Sequence, residues 1–223
     1  MPRQTSVAAV FSLQISPSHS RQTGRLVRQR APLEALRPTQ GAVGMLAVTA
    51  KRQRLRGHLE STRKIERYLE KRPIPAVVGP AGEFYIIDRH HLSLALCRSG
   101  IRDVSVALLA DFSALPRASF WARMQQNGML HPYDGLGIRI HPSRLPKSIG
   151  DLGHDPYRDL AWSVRRLGGF DKTVVPFSEF RWANFFRTRI PPNLVARDYA
   201  KAVRRALRLA SARSARSLPG YAA

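Results

Sequence analysis

Four consecutive residues, Asp88, Arg89, His90 and His91, set a carboxylate, a guanidinium and two imidazoles side by side. Upstream, Phe84 to Ile87 reads as a short apolar strand after the turn Gly79-Pro80-Ala81-Gly82. Downstream, Leu92, Ala95 and Leu96 recur at helical spacing until Ser99-Gly100 closes the element. A helix beginning here turns its first unpaired N–H groups and the positive end of its dipole toward the place where Arg89 stands. That suits an anion, most simply a phosphate. The histidines could serve as general acid or base, as metal ligands together with Asp88, or as phosphate donors. A helix start disfavours imidazolium, so the neutral ring is expected. No second ligand cluster of recognisable spacing supports the metal reading, and Asp88 alone is a weak ligand candidate.

The surrounding pattern is that of a compact α+β unit. Leu33 to Leu36 reads as a short strand leading into Arg37-Pro38-Thr39-Gln40, a proline-punctuated loop able to present Arg37, Thr39 and Gln40 to a phosphate. Thr49 would cap a first helix marked by Leu55 and Leu59. Ile65, Tyr68 and Leu69 mark a second, which stops before Pro73. Ala76–Val78 and Phe84–Ile87 form a hairpin-like pair, and Val104, Val106 and Leu108 alternate as a further strand. Beyond Asp111 the character changes to aromatic-rich helices. Asp155 as cap, Pro156 at the first helical position and Gly168-Gly169 after the end delimit one helix, with Tyr157, Leu160, Ala161 and Val164 inward. Glu179 is a first-turn carboxylate of the next. Trp121, Trp182, Phe185 and Phe186 have helical spacing, which favours core packing over base stacking. After Pro191-Pro192 one last helix carries Val195, Tyr199, Ala202, Val203, Ala206 and Ala210 on one side. The expected organisation is a basic disordered arm over 1–24, a mixed domain over 25–112, a helical extension over 113–190 and a basic amphipathic helix over 191–223.

Charge is the strongest compositional signal: 37 basic against 15 acidic residues give the 223-residue chain +22. The excess is spread along the chain, with no acidic residue before Pro32, and two dense basic clusters stand out. Lys51, Arg52, Arg54 and Arg56 share an early helix; Lys201, Arg204, Arg205 and Arg208 share the last. A polyanion, nucleic acid or nucleotide, is the natural partner, because each neutralised phosphate releases counterions. A single cysteine excludes an internal disulfide, no apolar run is long enough for a membrane helix, and Val7–Leu13 lacks a cleavage site, so a cytoplasmic protein is expected. P-loop, zinc-finger spacing, nucleophile elbow and helix-turn-helix are all absent from the sequence, which argues against base-specific DNA reading.

From Leu36 to Phe112 the chain resembles the ParB/sulfiredoxin superfamily, and within it the ParB-like nucleases. The resemblance rests on Leu36-Arg37-Pro38-Thr39-Gln40, on Arg72-Pro73-Ile74-Pro75-Ala76-Val77-Val78 and on the Asp88–His91 junction. It continues in Asp155-Pro156-Tyr157-Arg158 and Glu179-Phe180-Arg181-Trp182. ParB carries Gly-Glu-Arg-Arg at the junction and sulfiredoxin Gly-Cys-His-Arg. His91 then matches the sulfiredoxin histidine and His90 its cysteine, while Arg89 stands where both have glycine. The lone Cys97 lies inside the helix, which disfavours sulfiredoxin chemistry. The resemblance implies a small mixed ParB/sulfiredoxin-like domain with a helical C-terminal extension that binds or hydrolyses nucleic-acid phosphates. His91, His90 and Asp88 would be its catalytic residues and Arg89 a phosphate ligand, with a divalent Mg or Mn as an optional cofactor. A nucleotide (ATP or CTP)-dependent phosphotransferase or switch, and a non-catalytic nucleic-acid-binding module, are the alternatives.

Overall fold

The computed structural model of the chain describes residues 27–222; the basic segment expected over 1–24 lies outside them. A five-stranded mixed sheet forms the frame. In chain order its strands are β1 (Val27–Pro32), β2 (Leu36–Pro38), β4 (Ile74–Val78), β5 (Phe84–Ile86) and β6 (Asp103–Asp111), arranged β1-β6-β4-β5-β2. β4 and β5 form the expected antiparallel pair, Ala76 opposite Ile86, while β4–β6 and β5–β2 run parallel. β1 pairs antiparallel with β6 at the edge, with Arg28 and Arg30 exposed. Charge on an edge strand discourages pairing with another chain.

The period-two alternation of β5 sends neighbours to opposite layers. Ile86 joins Ile74, Ala76 and Val106 beneath three helices, α1 (Met45–Leu59), α2 (Thr62–Glu70) and α3 (His90–Cys97), which contribute Val48, Leu55, Ile65, Leu69, Leu94 and Leu96. Tyr85 and Ile87 face the other way, onto Phe120 and Met124 of α4 (Arg117–Gln126). A third apolar cluster belongs to α5 (Pro156–Arg166), α6 (Ser178–Arg187), α7 (Pro192–Arg197) and α8 (Tyr199–Ala210), centred on Trp182 and Phe186. Trp182, Phe185 and Phe186 are buried there as core residues, and Trp121 is half-buried against Tyr85. The helical part is stitched to the sheet part by a two-stranded parallel ladder, β3 (Ala42–Val43) with β7 (Gly153–His154). No helix among the described residues is long and apolar enough to cross a membrane.

Several boundaries differ from the sequence expectation. Leu33–Ala35 is a 3-10 turn rather than a strand, and the strand β1 before it was not foreseen. α1 begins at Met45, so Thr49 lies inside it, and Leu59 is exposed at its end. The last helix is two: Asp198, with φ −142°, interrupts the chain and its carboxylate caps α8 through Lys201 N–H.

Candidate functional site

The site is assembled where β2, β3 and β5 hand the chain to helices. Arg89, the N-cap of α3, is left-handed at φ 65° and ψ 24° with no side-chain cap, a conformation that costs a non-glycine residue about 1–2 kcal/mol. That is the position where the relatives invoked above carry glycine. Its guanidinium is half-buried, and burial and Arg72 push its pKa down against the opposing carboxylate of Asp88.

His90 is 2% exposed, and its Nε2 accepts the Thr39 N–H at 3.1 Å. His91 is half-buried, and its Nε2 accepts the Gly44 N–H at 3.2 Å. A nitrogen that accepts a backbone N–H carries no proton, so both rings are Nδ1–H tautomers. Each ring therefore has a donor to offer and no free lone pair, which narrows the acid–base role expected of them to hydrogen-bond donation. Burial lowers the pKa of His90 to about 3, with Arg158 and His131 adding to it. Burial, then Arg158, Lys51 and His90, hold His91 well below its ordinary value.

Arg158, in the first turn of α5, is the group to which both histidines respond. It is 4% exposed, stacks 3.6 Å above the Phe180 ring, and meets Glu179 Oε2 at 3.8 Å. Glu179 is held more closely by Arg165, at 2.9 Å. Arg158 Nε and Nη1 are buried without a partner, as are His90 Nδ1 and Gln40 Oε1. Buried donors left open in this way are rare and costly. Beside Arg158 lies His131, whose pKa burial, Arg158 and Arg187 lower to about 3. His131 stacks with Tyr133 (4.4 Å between centroids) and Phe177 (5.1 Å) and lies 3.7 Å from Phe180.

The same junction fixes α1. Gly44, its N-cap, has no side chain to offer, and Asp159 of α5 accepts Leu46 N–H at 2.7 Å instead. A Cβ on Gly44 would lie 2.7 Å from that carboxylate, so glycine is what lets α5 approach. Asp159 also binds His154 Nε2 at 2.8 Å, and burial pushes its pKa up. Asp155 caps α5 as expected, through Tyr157 and Arg158 N–H, and pairs with Arg187 at 2.6 Å.

A family model described as "Putative ParB-like nuclease" matches residues 29–188. The chain belongs to the ParB-like nuclease family. It is also similar to a solved structure, protein Atu1540 from Agrobacterium tumefaciens, at 39% identity and a TM-score of 0.81, over 89% of this chain and 97% of that one. No curated protein matches the chain. The ParB-like match covers every residue of the junction and ends after α6, leaving α7 and α8 beyond it.

Within this ParB-like frame, the expected site residues part company. Asp88, Arg89, His90, His91 and Lys51 are gathered, and burial lowers the Lys51 pKa with Arg54 beside it and Asp88 and Glu179 opposing. Arg37 is turned away: it binds Glu83 through Nε and Nη2 (3.1 and 2.9 Å) and the Lys147 carbonyl through Nη1. Thr39 is 1% exposed, and its hydroxyl is spent on the Ile86 carbonyl at 2.8 Å, so it positions His90 and has no donor left for phosphate. Gln40 is buried with Oε1 free. Arg52, Arg54, Arg56, Lys201, Arg204, Arg205 and Arg208 are exposed. Among the described residues no three His, Cys, Asp or Glu side chains converge to hold a metal, so Asp88 with the histidines does not form a ligand set for Mg or Mn. Arg158 and His131 were not singled out by type. Arg158 stands in the sequence within the family-like run Asp155–Arg158 but with no role attached to it, and His131 stands alone in a loop sequence.

Proposed function

We propose that the chain binds nucleic-acid phosphates at the start of α3 and cleaves the phosphodiester there. The observation that carries this reading is Arg158, a buried guanidinium with two open donor nitrogens, next to a neutral His90 whose Nδ1–H is equally unpartnered. A phosphate oxygen that reached both would satisfy them together. Water is the nucleophile: its oxygen bonds to phosphorus as the bond to the leaving oxygen breaks, and the proton it loses ends on the leaving oxygen. Fixed donors stabilise the charge that develops on the phosphoryl and leaving oxygens. Neutral imidazoles held as donors act in the same way. Lys51 and Arg89 add positive charge at the rim, where the carboxylate of Asp88, and for Lys51 also that of Glu179, favours the charged form. The overall +22 supplies the long-range attraction.

A second reading, binding without turnover, draws on the same geometry, because both Nε2 lone pairs are occupied by backbone N–H groups. The test uses a labelled oligonucleotide, with affinity read by anisotropy and cleavage on a gel. Arg158→Met is expected to weaken binding by about ten- to a hundredfold, the scale of a charge-assisted contact. His91→Ala is expected to lower turnover about a hundredfold, as loss of one fixed donor does. Undiminished binding by Arg158→Met would remove the site. Intact binding with no cleavage by the parent protein would leave the binding module as the function.

A further inference from the structure

We infer that this site takes an unpaired strand, and that the rings of Tyr133, His131 and Phe177 form the platform on which one of its bases stacks. The inference rests on the phosphate reading above and names the substrate class. Three observations carry it. The first is the stack itself: His131 lies 28° from parallel to Tyr133 and 30° from parallel to Phe177. Tyr133 and Phe177 are both only half-buried, so the cluster is not sealed in the core.

The second is backbone strain. Phe177, the N-cap of α6, is left-handed at φ 57° and ψ 21°, where a phenylalanine pays about 1–3 kcal/mol that a glycine would not. Its ring is stacked on His131, 5.1 Å between centroids. Strain of this kind accumulates at ligand clamps. The third is neighbourhood. Phe180 has His131 on it at 3.7 Å and Arg158 over it at 3.6 Å, so the platform adjoins the open guanidinium nitrogens. A phosphate at Arg158 brings its own nucleoside within reach of the rings.

The segments that supply the rings also expose aliphatic surface: Leu136 (71%) and Ile138 (58%) follow Tyr133, and Val174 (66%) precedes Phe177. Flat, apolar and aromatic surface beside a cation is the composition that single-strand sites use. His131 fits the role because its ring is neutral near pH 7, so it stacks without a charge to solvate. Inside a duplex the bases are stacked on one another and present no face to these rings.

The experiment compares three ligands of matched phosphate number: a single strand, a duplex of half its length, and an abasic strand of full length that keeps the phosphates and lacks the bases. The parent protein should bind the intact single strand about five- to 150-fold tighter than the abasic one, the range for stacking of one base. Tyr133→Leu and Phe177→Leu keep apolar bulk and remove the π face. Each should shrink that ratio while leaving affinity for the abasic strand unchanged, and Phe177→Tyr should restore it. Equal affinity of the parent for intact and abasic strands, or preference for the duplex, would overturn the platform while leaving phosphate binding standing. No binding to any of the three would overturn both.

Discussion

At the scale of single residues, the site is a place where protonation is suppressed. His90, His91 and His131 all have pKa values pushed down by burial first and by Arg158 second. A histidine whose folded pKa lies below 6.5 binds its proton less well in the fold than in the unfolded chain. Its contribution to stability is therefore complete above 6.5 and drains away as the pH falls toward the folded value, about 3 for His90 and His131. Each such ring removes about 1.4 kcal/mol per pH unit in that window. Urea unfolding midpoints should thus drop steeply between pH 6.5 and 5, before most carboxylates titrate. A flat profile over that range would mean that the rings are not held neutral. Arg158 sharpens the same point from the other side. Its guanidinium is desolvated, and its nearest carboxylate, Glu179, already has Arg165. Arg158→Met should leave the fold as stable or more stable, because a buried charge that is poorly paired costs more than it returns. Loss of binding together with an unchanged or raised melting temperature would separate function from folding at this one position. A large fall in melting temperature would instead make Arg158 a structural residue.

At the scale of elements, what was legible in the sequence is what local chemistry decides. The α5 start at Asp155-Pro156, the β4–β5 pair around Gly79–Gly82 and the core stripe of α2 each follow from residues within a few positions of one another. What was not legible is decided across distance. α1 starts at Met45 because Asp159, more than a hundred residues away, caps it, so the nearby Thr49 offered a false start. β1 was unreadable because Val27, Gln29 and Ala31 alternate only weakly with two arginines, and the strand exists by pairing with β6. The candidate site follows the same rule. Asp88 to His91 were visible as one run, but Arg158 and His131 reach them through pairings distant in sequence: the parallel β3–β7 ladder, the Asp159 cap on α1, and the Thr39 carbonyl, which accepts His131 N–H at 2.9 Å. Asp159→Ala removes the distant cap, and it should cost about 0.5–2 kcal/mol in chemical denaturation, the range for a lost N-cap. Because Gly44 at that helix start also holds His91, the same variant should weaken oligonucleotide binding. A variant that loses stability yet binds normally would show that α1 and the His91 ring are not coupled.

At the scale of the molecule, net charge and the buried site divide the work between attraction and placement. Exposed cations of α1 and α8 can meet any phosphate, and nothing about them reads sequence. Only the junction fixes where one phosphate sits. Affinity for a single-stranded oligonucleotide should therefore fall linearly with log salt, by about 0.7 log units per decade for each phosphate contacted. Replacing Arg52, Arg54 and Arg56 by alanine should make that slope shallower by about 2 if all three touch the strand, without loss of stability, since exposed side chains contribute little packing. Residues 1–24 contain two arginines, Arg3 and Arg21, and end before β1 begins at Val27. Their removal should leave the melting temperature nearly unchanged and reduce the slope by no more than about 1.4, two contacts' worth on a single strand. Arg158→Met should behave differently from both: its affinity loss should persist at high salt, where surface charges are screened and a buried contact is not. A loss for Arg158→Met that disappears at high salt would place that arginine among the general attractors and take the phosphate away from the start of α3.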